Sequence, residues 1–372
     1  MRKTGLYIHV PFRIHKHNHR GTLSFCNMDF NIISYFKHLK REIELRKDDN
    51  IIIDSIYIGG GDPSSMNSDY IVDILEHIYK NFNVEENCEK TIELDPLVPE
   101  FRLKNYIKYG INRFSIKAYT FDKRGWEYLD ISHDKNDIRN LVKLIKKYGM
   151  NNINLDMYFA YPGQTVRSLE RDFVLIERLN IPHVSFYSFL NYEDMDAIYH
   201  SKEEIELSNS LEDDMLDAIS YVMANQGYEH YEINHFAKDG MRSYHNQKYW
   251  KLEDYMGVGL GASGLVNNEL YRNQINFEKY FSDIDSGKIP YLDFEDLSKE
   301  EFEKNYIISK MGMIEGINIE YVNERFGIDF LDKYNTAIEK NVKDNIVQIK
   351  DGRLKFTEKG MYLSNKFYLE II

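Results

Sequence analysis

Residues 7–20 read YIHVPFRIHKHNHR. With Leu6 in front, the stretch up to Phe12 is an apolar run of strand length. The rest loses that pattern and carries Arg13, His15, Lys16, His17, His19 and Arg20. A strand therefore runs straight into a cationic, histidine-rich loop. In folds of repeated β–α units, function gathers where strands end and loops begin. What matters next is whether the unit repeats.

It repeats. A helical pattern spans about residues 31–47. Ser55–Ile58 reads as a strand ending in Gly59-Gly60-Gly61, and Asn67 and Ser68 offer N-caps to a helix with Ile71, Ile74, Leu75 and Ile78 on one face. Thr91–Leu94, Arg113–Tyr119, Ile153–Phe159 and Val184–Leu190 read as further strands. Helices are predicted near 99–109, 135–148, 165–179 and 202–226. Six β–α units in a row predict an α/β fold with a parallel sheet and helices outside it. Eight would close a TIM barrel. Six leave either a partial barrel or a doubly wound sheet, and the pattern alone does not separate them. The unusual residues favour the partial barrel, because Arg13–Arg20, Gly59–Ser64, Glu93–Pro96, Tyr119–Asp122, Asp156 and Tyr161–Thr165 all sit at or near strand ends.

After residue 230 the rhythm stops. Residues 231–297 are rich in Gly, Asn, Tyr and His in their first part and read as a loop-heavy connection. From Ser298, with Glu301 completing a capping box, the chain turns helical, with further helices near 318–326 and 329–341. The segment IVQIKDGRLKF, 346–356, predicts a hairpin turning on Asp351-Gly352. A small helical, winged-helix-like domain over 298–372 follows. The predicted division is 1–230, 231–297 and 298–372.

The bulk numbers bound the partners. Lys+Arg total 47 against Asp+Glu 60, a net charge of −13. Nucleic-acid affinity rests mainly on Lys and Arg, so no nucleic-acid partner is expected. The chain has two cysteines, Cys26 and Cys88, too few for a disulfide framework or a cluster. No apolar run approaches the roughly 18 residues of a membrane span, and the amino terminus is too polar for a signal peptide. A cytoplasmic location is the expectation.

Several motifs together resemble the radical S-adenosylmethionine (SAM) superfamily, in its oxygen-independent coproporphyrinogen III oxidase-like group and the HemW-type haem chaperone branch. There YIHxPF runs into Cys-x3-Cys-x2-Cys, three thiolates that hold a [4Fe–4S] cluster. Here those positions are Arg13, His17 and Arg20. Arginine stays cationic and offers no lone pair to iron. Gly59–Ser64 (GGGDPS) resembles GGGTPS, whose backbone contacts the SAM methionyl group. Glu93–Pro96 (ELDP) resembles E-x-N-P, whose Glu would bond an ammonium or sugar hydroxyl. Residues 110–122, GINRFSIKAYTFD, match GVNRxSIGVQSFD, with Tyr119 at the Gln that would face SAM. Ile131 stands where LGRxH has the arginine for the SAM carboxylate, and Asp156 is the residue for a ribose diol. Tyr244–Trp250 contains HNxxYW, the haem-associated signature, and Gly264 replaces the usual His of a nearby GAHS element.

The resemblance implies a partial (β/α)6 TIM-like barrel with the small carboxyl-terminal domain. It implies a degenerate member without its cluster, acting as a haem- or tetrapyrrole-binding, chaperone-like protein. The expected cofactor is haem, with [4Fe–4S] and SAM absent, and the expected partner is a haem-acceptor protein. The implied contact residues are Gly59, Gly60, Gly61, Glu93, Tyr119, Asp156, His245, Tyr249 and Trp250. His245 and His17 are the implied metal ligands, with His15 and His19 as others. Two further classes stay open. One is an enzyme with residual or repurposed chemistry, using Glu93, Asp95, Asp156 and Tyr119. The other is a non-catalytic pseudoenzyme that binds a protein partner.

Overall fold

The computed structural model describes residues 1–13, 23–26, 29–189 and 202–371. Its first half is the repeated unit. In order come β1 (Arg2–Val10), α1 (Asp29–Leu45), β2 (Ile51–Gly60), α2 (Ser68–Asn81), β3 (Asn83–Leu94), α3 (Glu100–Lys108), β4 (Arg113–Tyr119), α4 (Lys123–Leu129), α5 (Lys135–Lys147), β5 (Ile153–Phe159), α6 (Val166–Arg178), β6 (His183–Ser188) and α7 (Lys202–Asn225). Strands β1 to β6 lie side by side in chain order and pair in parallel. That sequential order is the barrel-type arrangement. A doubly wound sheet reverses direction at a switch point, and none occurs here. The sheet stays open.

Side chains alternate across each strand. One set, including Leu6, Ile8, Ile56, Ile58, Phe114, Ile116, Leu155 and Met157, packs against the helices in one continuous core. Helix α2 shows why the helical pattern was legible. Asn67 caps it through Asp69 N, and Ile71, Ile74, Leu75 and Ile78, spaced for one face, are all buried. Each such side chain contributes about 1.5–3 kcal/mol on burial.

Residues 231–297 are not the loop-heavy connection that their composition suggests. Strands β7 (Glu229–Glu232) and β8 (His235–Ala237) extend the sheet beyond β6, whereas β9 (Tyr255–Val258), β10 (Ser263–Val266), β11 (Glu269–Asn273) and β12 (Tyr291–Asp296) extend it beyond β1. The result is a 12-stranded sheet. Short strands with few β-branched residues hid this contribution. Between them α8 (Tyr244–Lys251) crosses from one side to the other.

The carboxyl-terminal part matches its expected outline. Ser298 and Glu301 form the capping box of a helix over Lys299–Met311. Helices at Ile319–Phe326, Phe330–Lys333 and Asn335–Lys343 precede β14 (Val347–Lys350) and β15 (Arg353–Phe356), and Ile317–Asn318 supplies the third strand, β13. Asp351 and Gly352 both take positive φ, 53° and 70°, the turn that a two-residue hairpin requires. Among the described residues no helix is long and apolar enough to cross a membrane.

Candidate functional site

The face of the sheet opposite the helices is polar. Strand β4 shows the alternation: Phe114, Ile116 and Ala118 enter the core, while Ser115 and Lys117 reach polar partners on neighbouring strands. Ser115 Oγ donates to Asp156 Oδ2 at 2.8 Å, and Asn154 Nδ2 donates to Asp156 Oδ1 at 2.8 Å. Both oxygens of the Asp156 carboxylate are therefore already engaged.

The glycine turn at the end of β2 is shaped by its own chain. Gly60 takes φ +115°, which disfavours a side chain. A Cβ on Gly59 would fall 2.6 Å from Glu93 Oε1, and one on Gly61 would fall 2.4 Å from Phe12 O. The three glycines thus admit Glu93 on one side and the β1 loop on the other. Lys117 fills the space that remains. Its Nζ lies 2.9 Å from Glu93 Oε2, 3.5 Å from Gly60 O and in hydrogen-bond contact with Gly61 O. Burial opposes the Lys117 charge, yet Glu93, then Asp62 and Asp156, outweigh it, and its pKa lies above the ordinary lysine value. Burial also raises Glu93; the 2.9 Å contact and the carbonyls on Nζ decide for the ionised pair. Lys117 stands at the Gly of SIGVQ, a departure that the motif comparison passed over. Its signal was a lysine on the same face of β4 as Ser115, between Ile116 and Ala118.

Tyr119 closes the neighbouring space. Its φ of 60° is unusual for an aromatic residue. Its ring stacks on Tyr158 at 5.1 Å and on His133 at 6.1 Å. With Leu129, Tyr161 and Phe189, Tyr119 and Tyr158 form an apolar cluster, and Ile131 packs on it.

His245, Tyr249 and Trp250 belong to a different part of the sheet. Helix α8 starts on Glu89, whose carboxylate accepts from Tyr244 N and His245 N at 3.0 Å each. Lys248 Nζ reaches Asp54 at 2.8 Å, both side chains almost fully buried. Trp250 lies on Gly312, where a Cβ would come within 2.3 Å of its ring. His245 has no accessible surface, with Nδ1 2.9 Å from Ser55 Oγ and Nε2 2.8 Å from Tyr249 OH. His245, the implied metal ligand, is thus held inside the fold. Both nitrogens are in use, and iron ligation there requires release of Ser55 or Tyr249. Glu93 and Gly59–Gly61 converge with Lys117, whereas α8 packs against the earlier parts of β1, β2 and β3 and against the carboxyl-terminal domain. Tyr57 bridges the two regions, with its ring 5.4 Å from His245 and its hydroxyl donating to Glu93 at 3.3 Å.

Of the three cluster positions, Arg13 is described and donates to Ser24 Oγ. His17 and Arg20, with His15 and His19, lie outside the described residues. Two cysteines cannot supply three thiolates. With Lys117 in the glycine turn and an apolar cluster at Ile131, the residues present do not fit a [4Fe–4S] cluster with SAM.

Comparison with known proteins agrees with the fold. Residues 33–176 match the family model for the radical SAM superfamily, and residues 297–363 match the HemN carboxyl-terminal domain. Heme chaperone HemW of Buchnera aphidicola subsp. Schizaphis graminum is 30% identical over 98% of each chain. The chain belongs to the HemW family. A second HemW, from Lactococcus lactis subsp. lactis, is 28% identical, over 97% of this chain and 95% of the relative. Coproporphyrinogen III oxidase (HemN) from Escherichia coli superposes with a TM-score of 0.85 at 19% identity, covering 100% of this chain and 90% of that one. The HemW-family chain thus shares the fold of that structure over its whole length.

Three buried histidines, His9, His183 and His245, give the fold a pH dependence, and burial holds His183 well below the ordinary value. Burial lowers His9 to about 4 and His245 to about 3, from an ordinary value of 6.5. All three are neutral when folded, and the unfolded chain gains their protons below about pH 6.5. Their contribution is intact above that pH and is lost as pH falls toward the folded values. Each adds a slope of up to about 1.4 kcal/mol per pH unit. The melting midpoint is expected to drop between about pH 7 and pH 5, before most carboxylates titrate. A flat midpoint over that range would refute the assignment.

Proposed function

We propose that the chain binds haem or a related tetrapyrrole and performs no cluster-dependent SAM chemistry. The observation that carries this reading is Lys117 in the glycine turn, a resident cation where a cofactor would need room. The absence of a third cysteine supports it. The names of the HemW relatives supply the ligand class. His17, with His15 and His19, is the proposed source of iron ligands, since His245 is held on both nitrogens. These histidines lie between Arg13 and Leu23, which flank the carboxyl end of β1: Arg13 N donates to Phe25 O, and Leu23 O contacts His9.

Hemin titration of the purified chain tests this. A saturable Soret change at micromolar hemin is expected, weakened at least tenfold in His17→Ala. Such a loss corresponds to about 1.4 kcal/mol or more. No spectral change in the wild type would remove haem binding. Anaerobic iron–sulfide reconstitution tests the second half. A brown product that cleaves SAM to methionine and 5′-deoxyadenosine would overturn it.

A further inference from the structure

We propose that the joint between the sheet and the carboxyl-terminal domain holds a binding site for the phosphate group of a small phosphomonoester. Four cations, Lys251, Lys310, Arg325 and Arg353, line one cavity of about 300 Å³ there. They come from four elements: the end of α8, the helix Lys299–Met311, the helix Ile319–Phe326 and β15. The chain as a whole carries a net charge of −13, so this concentration of positive charge runs against its composition. Glu253 is the only carboxylate in that lining among the described residues. It lies 3.5 Å from Lys248, which already pairs with Asp54. Glu315 serves Lys310 at 2.6 Å and Arg353 at 3.7 Å. With Lys248 included, five cations meet three carboxylates, Asp54, Glu253 and Glu315, and two positive charges are left in excess. A phosphomonoester carries about that much negative charge near neutral pH.

Among the described residues, donors are left over around this cavity. Lys251 makes no ion pair and no side-chain hydrogen bond among them. Arg325 gives Nη1 to Tyr321 OH at 3.2 Å and keeps Nε and Nη2. Arg353 gives Nε to Glu315 O at 2.6 Å and Nη2 to Gly316 O at 3.0 Å, and keeps Nη1. Asn318 spends Oδ1 on Tyr321 N and keeps Nδ2. Phosphate oxygens are strong acceptors, and a guanidinium fork fits two of them at once. Arg325 is oriented by stacking, with Cζ 4.7 Å from the centre of the Tyr306 ring. Lys310 is only 7% exposed. Burial lowers its pKa, Glu315 opposes this, and Lys251 and Arg353 lower it further, so these cations act on one another. A solvated basic patch has no such buried member. The cavity has the volume of a small-molecule site, and Tyr306 and Tyr321 on its wall offer rings to the organic part of an ester. None of these residues is among those implied for SAM or haem, so the inference goes beyond the haem reading and stands independently of it.

The test is titration of the purified chain with phenyl phosphate and with inorganic phosphate, read by binding heat and by the melting midpoint. Chloride and acetate at equal ionic strength are the controls. Phenyl phosphate is expected to bind saturably and to raise the midpoint by at least about 2 °C over chloride. Inorganic phosphate is expected to do the same more weakly, and acetate, a single charge, to match chloride. Tighter binding of the free ion would overturn the ester in favour of inorganic phosphate. Arg325 is exposed and Lys251 half-buried, so the double variant Lys251→Gln, Arg325→Gln is expected to fold and to bind both phosphates at least about tenfold more weakly, a loss of about 1.4 kcal/mol or more. A midpoint rise that does not saturate, or that is equal in wild type and double variant, is a bulk salt effect and overturns the site. If the double variant does not fold, Lys251→Gln alone is titrated, and unchanged affinity there overturns the site as well.

Discussion

Replacing Lys248 by alanine is expected to cost the fold about 3–5 kcal/mol, the usual loss when one partner of a buried ion pair is removed. Lys248 and Asp54 are 2% and 1% exposed and 2.8 Å apart. Tyr244 OH also donates to Asp54 Oδ2, at 2.9 Å. Without the ammonium, Asp54 remains buried with a single donor on that oxygen. Denaturant titration measures the loss. The double variant Asp54→Asn, Lys248→Met is expected to recover much of it, since removing both charges together is far less damaging than removing one. A Lys248→Ala chain as stable as wild type would show that α8 is not held by this pair. The outcome bears on any study of HNxxYW. Hemin titration of variants in this helix requires that the joint between the sheet and the carboxyl-terminal domain is first shown to be intact.

Glu42→Ala is expected to be comparably severe. Glu42 is fully buried on α1 and accepts four hydrogen bonds. Arg46 Nε and Asn273 Nδ2 reach one oxygen at 2.8 Å each, while Gly259 N and Tyr280 OH reach the other at 2.8 and 2.7 Å. Alanine leaves Arg46 buried without its counter-charge and strands three further donors. The charge alone accounts for about 3–5 kcal/mol. Hydrogen exchange is expected to show early loss of protection in β9 and β11, with the hairpin β14–β15 retained. Uniform loss across all strands would refute this local role for Glu42.

The contrast between what the sequence disclosed and what it hid has a physical cause. Strands β4 and β5 were legible to the residue, because Arg113–Tyr119 and Ile153–Phe159 carry apolar side chains at every second position. Helix α2 was legible from its cap and its single apolar face. Glu42 was invisible: within a helical pattern, a glutamate that gathers four donors looks like one that faces water. Lys117 was half visible, since alternation places it inward but cannot say what it meets there. The packing of α8 was not legible, because HNxxYW names residue types and not their neighbours. Only the fold shows that Ser55 and Tyr249 already hold both nitrogens of His245. Strands β7 to β12 were missed because short segments rich in Gly, Asn and Tyr carry little periodicity.

Strand β1 is flanked by β2 on one side and β9 on the other, with Gly5 opposite both Ser55 and Tyr255. A ribosome delivers the first partner early and the second some two hundred residues later. Throughout that interval the nascent amino-terminal strand offers one bare row of backbone donors and acceptors to whatever is near. A chain truncated near residue 230 would keep that row uncovered for good. Such a fragment is prone to self-association, and the repeated β–α half is no autonomous building block.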